Sequence, residues 1–180
     1  MNLEGCPDHI VKYFSDIETN VDISLSLANR CRAKGLDPDD KVEIVMAKDM
    51  AERVVGLISV VSPALKESNI VERIKELEIK YGSQDWRVAL TVALETAQEK
   101  FTKFENKIEA MEIGIRVGIS YITNGVVSSP LEGFTKLEVK QRRDGGEYLA
   151  LYFAGPMRSA GGTASSVSVI IGDYIRKNMG

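Results

Sequence analysis

The chain has 180 residues, 44% of them hydrophobic, and a formal net charge of −3. That is enough apolar material for a substantial core, which excludes a disordered tail. The slightly acidic balance excludes a binder that holds nucleic acid over its whole surface, so any such contact has to be local.

The N-terminus, Met1 to Asp8, lacks the basic stretch and apolar run of a secretion signal, and the expected location is cytoplasmic. Cys6 and His9 give half of a zinc-ligand spacing, but there is a single histidine and no second Cys-x-x-Cys. Cys6 and Cys31 therefore read as reduced thiols, and no metal or other cofactor is expected in this stretch. From Asp8 to Lys34 the residues Ile10, Phe14, Ile17, Val21, Leu25, Ala28 and Cys31 recur every three or four positions, the stripe of an amphipathic helix. Gly35 ends it, with Pro38 beyond. Val42 and Ile44 alternate with charged neighbours between Lys41 and Val45, a short strand or an extended connector.

A helix from Lys48 to about Ile58 follows and is broken at Ser62-Pro63. The apolar run Val54 to Leu65 contains Gly56, Ser59, Ser62 and Pro63 and is too short to span a bilayer, so no membrane partner is expected. Asn69 with Glu72 reads as a loose capping box for a helix that stops near Tyr81-Gly82. Ser83 opens the next, whose Trp86, Leu90, Ala93, Leu94, Ala97 and Phe101 form a core-facing stripe. Ile108, Met111, Ile115, Ile119 and Ile122 mark a further helix ending at Asn124-Gly125. Gly114 and Gly118 lie on one stripe of it, so another backbone comes close, either within the chain or from a subunit or second copy.

At Gly125 the character changes. Val126 to Gly133 reads as extended and turn segments, Leu137 to Lys140 as a half-buried strand, and Arg143-Asp144-Gly145-Gly146 as a hairpin turn with Asp-Gly at positive φ. The return strand, Glu147 to Ala154, carries Leu149, Leu151 and Phe153 on one face and Tyr148, Ala150 and Tyr152 on the other, both read as covered. Lys136, Lys140, Arg142 and Arg143 cluster on this hairpin, with Arg158, Arg176 and Lys177 beyond it. They form either a phosphate-contacting patch or a charge-protected strand edge.

Gly155, Gly161 and Gly162 then form a glycine-rich loop holding Arg158, where backbone turns tightly or approaches another group. Ser159 or Thr163 would cap the helix that runs to Asn178, leaving free N–H groups and the positive dipole end toward the loop. Arg158 would add a two-pronged contact to the same anion. The spacing matches neither the Walker A loop nor the dinucleotide fingerprint, since Gly162 stands where the former needs lysine. The candidate phosphate or DNA contacts are thus Lys140, Arg142, Arg143, Arg158, Ser159, Gly161, Gly162 and Thr163. Two alternatives remain open: a small phosphate- or nucleotide-binding domain, or a protein-interaction module using the Trp86–Phe101 or Ile108–Ile122 stripes. No catalytic residue is assigned. Asp37, Asp39 and Asp40 sit in a polar loop, and no dense Asp-x-Asp-like group stands at a strand end.

Tyr152-Phe153-Ala154-Gly155-Pro156-Met157-Arg158-Ser159-Ala160-Gly161-Gly162-Thr163-Ala164 resembles a signature segment of the large subunit of archaeal family D DNA polymerase. Gly35-Leu36-Asp37-Pro38, Val42-Glu43-Ile44, Ala47 to Val54, Gly125-Val126-Val127 and Pro130-Leu131-Glu132-Gly133 are similar to the same region in the same order. Leu65 to Lys107 is the least distinctive part. The resemblance implies the N-terminal, noncatalytic portion of a replicative DNA-directed DNA polymerase, a nucleotidyltransferase. It further implies a heterodimer with a small subunit that carries the 3'-5' exonuclease, with Mg2+ and the catalytic aspartates lying far C-terminal to this region. The partners it implies are that small subunit, DNA and other domains of the large subunit, with self-association as a further expectation. The expected fold is α+β: a mainly helical N-terminal bundle over 1–125, then, over 126–180, a small antiparallel β-hairpin, the glycine-rich loop and a C-terminal helix. That last region reads as the start of a further domain.

Overall fold

The computed structural model describes residues 5–36, 47, 49–124, 126, 128–159 and 162–180. The anticipated short strand or extended connector at Lys41 to Val45 lies outside them, as do Gly125, Val127 and Gly161. The chain separates into two compact units, Met1–Met46 and Ala47–Gly180.

In the first unit, α1 (Asp8–Ala33) follows the predicted stripe, with Ile10, Phe14, Val21, Leu25, Ala28 and Cys31 half-buried and Ile17 exposed. It ends as glycine dictates. Gly35 takes φ 67°, and the Leu36 amide returns to the Cys31 carbonyl at 3.0 Å.

The second unit begins with α2 (Met50–Ile58), whose start is fixed by Asp49 accepting the Glu52 amide at 3.0 Å. A short turn, Pro63–Leu65, leads to α3 (Ile70–Tyr81). The expected capping box is not formed: Asn69 makes no side-chain cap, and it is the Ser68 hydroxyl that accepts the Ile70 amide, at 3.4 Å. The following helix, α4 (Trp86–Ala97), is opened by Asp85 rather than Ser83, because the Asp85 carboxylate takes the Arg87 amide at 2.8 Å. Trp86 consequently sits at the first helical position and is 60% exposed, not part of the core stripe. Phe101 lies beyond the helix, half-buried against the core.

Next comes α5 (Lys107–Ile122), capped by Asn106 through the Glu109 amide at 2.9 Å. This helix is apolar nearly all round because it is a wall shared by two cores. Ile113, Val117 and Tyr121, spaced four apart, face a cluster built with α2, α3 and one side of α4. Met111, Ile115 and Ile119 face a second cluster, completed by a hairpin and the last helices. Gly114 and Gly118 give α4 its close approach. A Cβ on Gly114 would stand 2.6 Å from the Ala93 carbonyl, and one on Gly118 would stand 3.0 Å from the Ala93 methyl. The glycine face is therefore filled from within the chain.

After a wide helical turn at Ser129–Gly133, β1 (Phe134–Gln141) and β2 (Glu147–Phe153) pair antiparallel, Leu137 opposite Leu151 and Val139 opposite Leu149. Only Gly145 of the turn has positive φ, 84°; Asp144 does not, and its carboxylate instead accepts the Gly146 amide at 3.1 Å. The chain finishes with α6 (Gly155–Ser159) and α7 (Gly162–Met179). The boundary anticipated at 125/126 falls inside the second unit, since α5, the hairpin, α6 and α7 bury one apolar cluster together. Among the described residues no helix is long and apolar enough to cross a membrane.

Candidate nucleic-acid interface

The hairpin turns Leu137, Leu149, Leu151 and Phe153 toward the second core. Period-two alternation then sends Lys136, Glu138 and Lys140 of β1 and Tyr148, Ala150 and Tyr152 of β2 to the opposite face. That face is only partly covered, short of the expectation that both would be: Tyr148 is 44% exposed, while Ala150 and Tyr152 are half-buried.

Its charges are organised around Tyr152. Lys136 Nζ stands 4.6 Å and Lys140 Nζ 5.2 Å from the ring centroid, and the hydroxyl donates to Glu138 Oε2 at 2.7 Å. Glu138 also pairs with Lys136 and, at 3.5 Å, with Lys140. Donation from Lys136 and then from Tyr152 pushes the Glu138 carboxyl down to about 2. At the tip, Arg142 folds back on Asp144 at 3.0 Å. Arg176 and Lys177 pair with Asp173 on α7, at 2.7 and 2.8 Å, and so do not extend the patch as free cations.

Two guanidinium groups stand apart from this pairing. Arg143 at the hairpin tip and Arg158 on α6 are exposed, and among the described residues neither has an ion pair or side-chain hydrogen bond. They are not neighbours. The whole of β2 lies between them in the chain.

The connection carrying Arg158 differs from the expected open loop. Gly155 to Ser159 winds into a helical turn anchored by Met157, which is fully buried, and the Arg158 amide bonds to the Ala154 carbonyl at 3.2 Å. Neither Gly155 nor Gly162 takes a left-handed φ, and a Cβ on either would meet nothing within 4 Å. Ser159 does not cap α7; its hydroxyl donates to the Gly155 and Pro156 carbonyls at 2.9 and 3.3 Å. Thr163 is the second residue of α7 and is exposed. Gly161 lies outside the described residues.

One determinant left no periodic signal. Arg116 is 5% exposed on α5, and its guanidinium donates to the carbonyls of Pro130 (2.6 Å), Leu131 (3.1 Å), Phe134 (2.6 Å) and Thr135 (2.9 Å). Glu112, one turn earlier, pairs with it at 2.8 Å and accepts the Leu137 amide at 3.0 Å. This pair ties the hairpin to the helical wall. An Arg four residues after a Glu inside an apolar helix was the available clue.

Several carboxylates are occupied in this way: Glu95 with Arg73 and Lys100, Glu112 with Arg116, Glu138 with Lys136, Asp173 with Arg176 and Lys177. Among the described residues no three His, Cys, Asp or Glu side chains lie together in a group that could hold a metal ion. These residues do not fit the two-metal site that nucleotidyl transfer uses.

Residues 12–180 match the family model described as DNA polymerase II large subunit DP2, N-terminal. The chain belongs to this family. It is 44% identical over 168 residues to a DNA polymerase II large subunit of Nanoarchaeum equitans, covering 93% of this chain and 14% of that protein. With the Methanococcus maripaludis strain C5 subunit of the same name the identity is 45% over 171 residues, 95% of this chain and 14% of the relative. With that of Thermococcus kodakarensis it is 39% over 170 residues, 93% and 9%. The chain thus spans about one seventh of the length of the first two relatives.

Proposed function

We propose that this chain is the noncatalytic N-terminal portion of the large subunit of an Mg2+-dependent DNA-directed DNA polymerase, and that it contributes to subunit architecture and holds DNA by its phosphates. Family membership supports the first part. The observation that carries DNA contact is the pair of exposed guanidinium groups without partners among the described residues, Arg143 and Arg158. They lie on either side of β2 in the chain, so the two would meet a bound strand at different phosphates. Contacts of this kind position a duplex and do not read its sequence. Gly155 and Gly162, whose added Cβ would meet nothing within 4 Å among the described residues, leave room beside Arg158 for close approach. The remaining partners in this reading are the small subunit and the other domains of the large subunit.

The test is titration of a labelled primer–template at several salt concentrations. Affinity is expected to fall as salt rises, and Arg143→Ala with Arg158→Ala should flatten the log–log slope by about 0.9 per lost contact. Affinity and slope unchanged in the double variant would remove both residues from the account.

A further inference from the structure

The two strands of the hairpin differ in what lies along their outer edges. Because the Leu137 amide is given to Glu112, Leu137 and Leu151 form a pair that exchanges no backbone bonds with each other. The Arg142 amide bonds to the Gly146 carbonyl at 2.6 Å, which sets the same alternation from the other end. Leu149 and Leu151 must therefore turn their N–H and C=O groups away from β1. On β1 the outward groups near α5 are taken by Arg116 and Glu112. On β2 nothing among the described residues takes them.

Beside that open edge lies a groove of about 350 Å³ whose lining includes Leu149, Leu151, Val169, Gly172, Asp173 and Arg176. Its helical side is α7, where Gly172 faces Leu151 and Val169 is left 52% exposed. An unpaired strand edge beside a helix that leaves an apolar side chain, Val169, exposed between charged neighbours has the form of a sheet that lacks its next strand. We infer that β2 receives a third strand, an extended segment with apolar side chains at alternate positions, supplied by the portion of the large-subunit polypeptide outside the matched stretch. The relatives carry about six sevenths of their length there. Main-chain bonds to Leu149 and Leu151 would fix its register, and its apolar side chains would cover Val169. This goes beyond the DNA reading and does not depend on Arg143 or Arg158.

Residue-resolved hydrogen exchange tests it. The 180-residue chain is compared with the full-length Nanoarchaeum equitans subunit carrying these 180 residues in place of its own; the relative's own aligned stretch, alone and within its whole subunit, gives the same comparison without a graft. In the long chains the Leu149 and Leu151 amides should exchange at least about tenfold more slowly, with a smaller change at Tyr148 and Ala150, which already bond to β1. Val169→Glu should abolish that gain while shifting the melting temperature of the 180-residue chain by no more than about 2 °C. Equal exchange in short and long chains overturns the inference, as does protection that survives Val169→Glu. Protection of the short chain that grows with its concentration would assign the edge to a second copy and overturn it as well.

Discussion

Arg116 shows how much one side chain contributes to this unit. Its guanidinium serves four carbonyls of the segment that leads into β1, and Glu112 completes the pair, so removing it strands acceptors and a carboxylate in a buried place. Arg116→Met is expected to cost about 3–5 kcal/mol in urea unfolding, the usual penalty for breaking a buried pair from one side. Arg116→Lys should recover only part, since an ammonium lacks the planar fork. A loss below about 1 kcal/mol for Arg116→Met would show that the clamp is ornamental. The glycines divide in the same manner. Gly114→Ala forces a methyl to within 2.6 Å of the Ala93 carbonyl and should cost about 1–3 kcal/mol through overpacking. Gly155→Ala meets open space and should be neutral or stabilising by up to about 1 kcal/mol, yet weaken DNA binding if phosphate approaches there. Thermal melts of the two variants, with DNA titration of the second, separate these cases.

Among the elements, α5 and the hairpin divide the work of shape and charge. The stripe Met111, Ile115 and Ile119 was legible in the sequence; Ile113, Val117 and Tyr121, the second buried face, was not, since a helix apolar all round has no single phase to detect. Polar capping was partly legible for a related reason. Asp49, Asn69, Ser83, Asp85 and Asn106 are all competent caps by type, and only the local backbone selects among them. Tyr121 shows the same limit: its buried hydroxyl donates to Glu78 at 2.7 Å and accepts the Gln84 amide at 2.9 Å, which holds Gln84 at φ 62°. Burial first, and then the bond to Glu78, raise the tyrosine pKa, so it stays a donor. The hairpin's outer face makes a pH prediction. The Glu138 carboxyl is held at about 2 against an ordinary 4.5, so its ion pairs are intact above 4.5 and are lost as pH falls through about 2. Glu95 acts in the same direction: burial opposes its charge, but Arg73 and Lys100 prevail and lower its pKa. Amide shifts around Lys136, Lys140 and Tyr152 should therefore change in that acid window, and Glu138→Gln should remove the change there while leaving the α3–α4 region's response in place. A Glu138 carboxyl titrating at its ordinary value would contradict the bonding described around Tyr152.

At the scale of the molecule, the family assignment and the mainly helical α+β architecture could be read from the chain, because they rest on the wording of the Tyr152–Ala164 segment and on helical periodicity. The grouping of residues could not. Lys140 and Arg142, candidate phosphate contacts from their type, are paired with Glu138 and Asp144. Arg143 and Arg158 emerge as the exposed pair only once the ion pairs are known. Ser159 and Thr163, caps by type, fall inside helices because Gly155 to Ser159 winds rather than loops. In the proposed reading this is a unit built for position rather than chemistry, with one charged, half-open hairpin presented by a doubly packed helix. The most direct measurement of that claim is steady-state primer extension by a full-length large subunit carrying these 180 residues, assembled with its small subunit, with and without Arg143→Ala and Arg158→Ala. A noncatalytic DNA-positioning portion predicts a higher KM for primer–template with kcat unchanged at saturating DNA. A fall in kcat at unchanged KM would place these residues in the chemical step and contradict it.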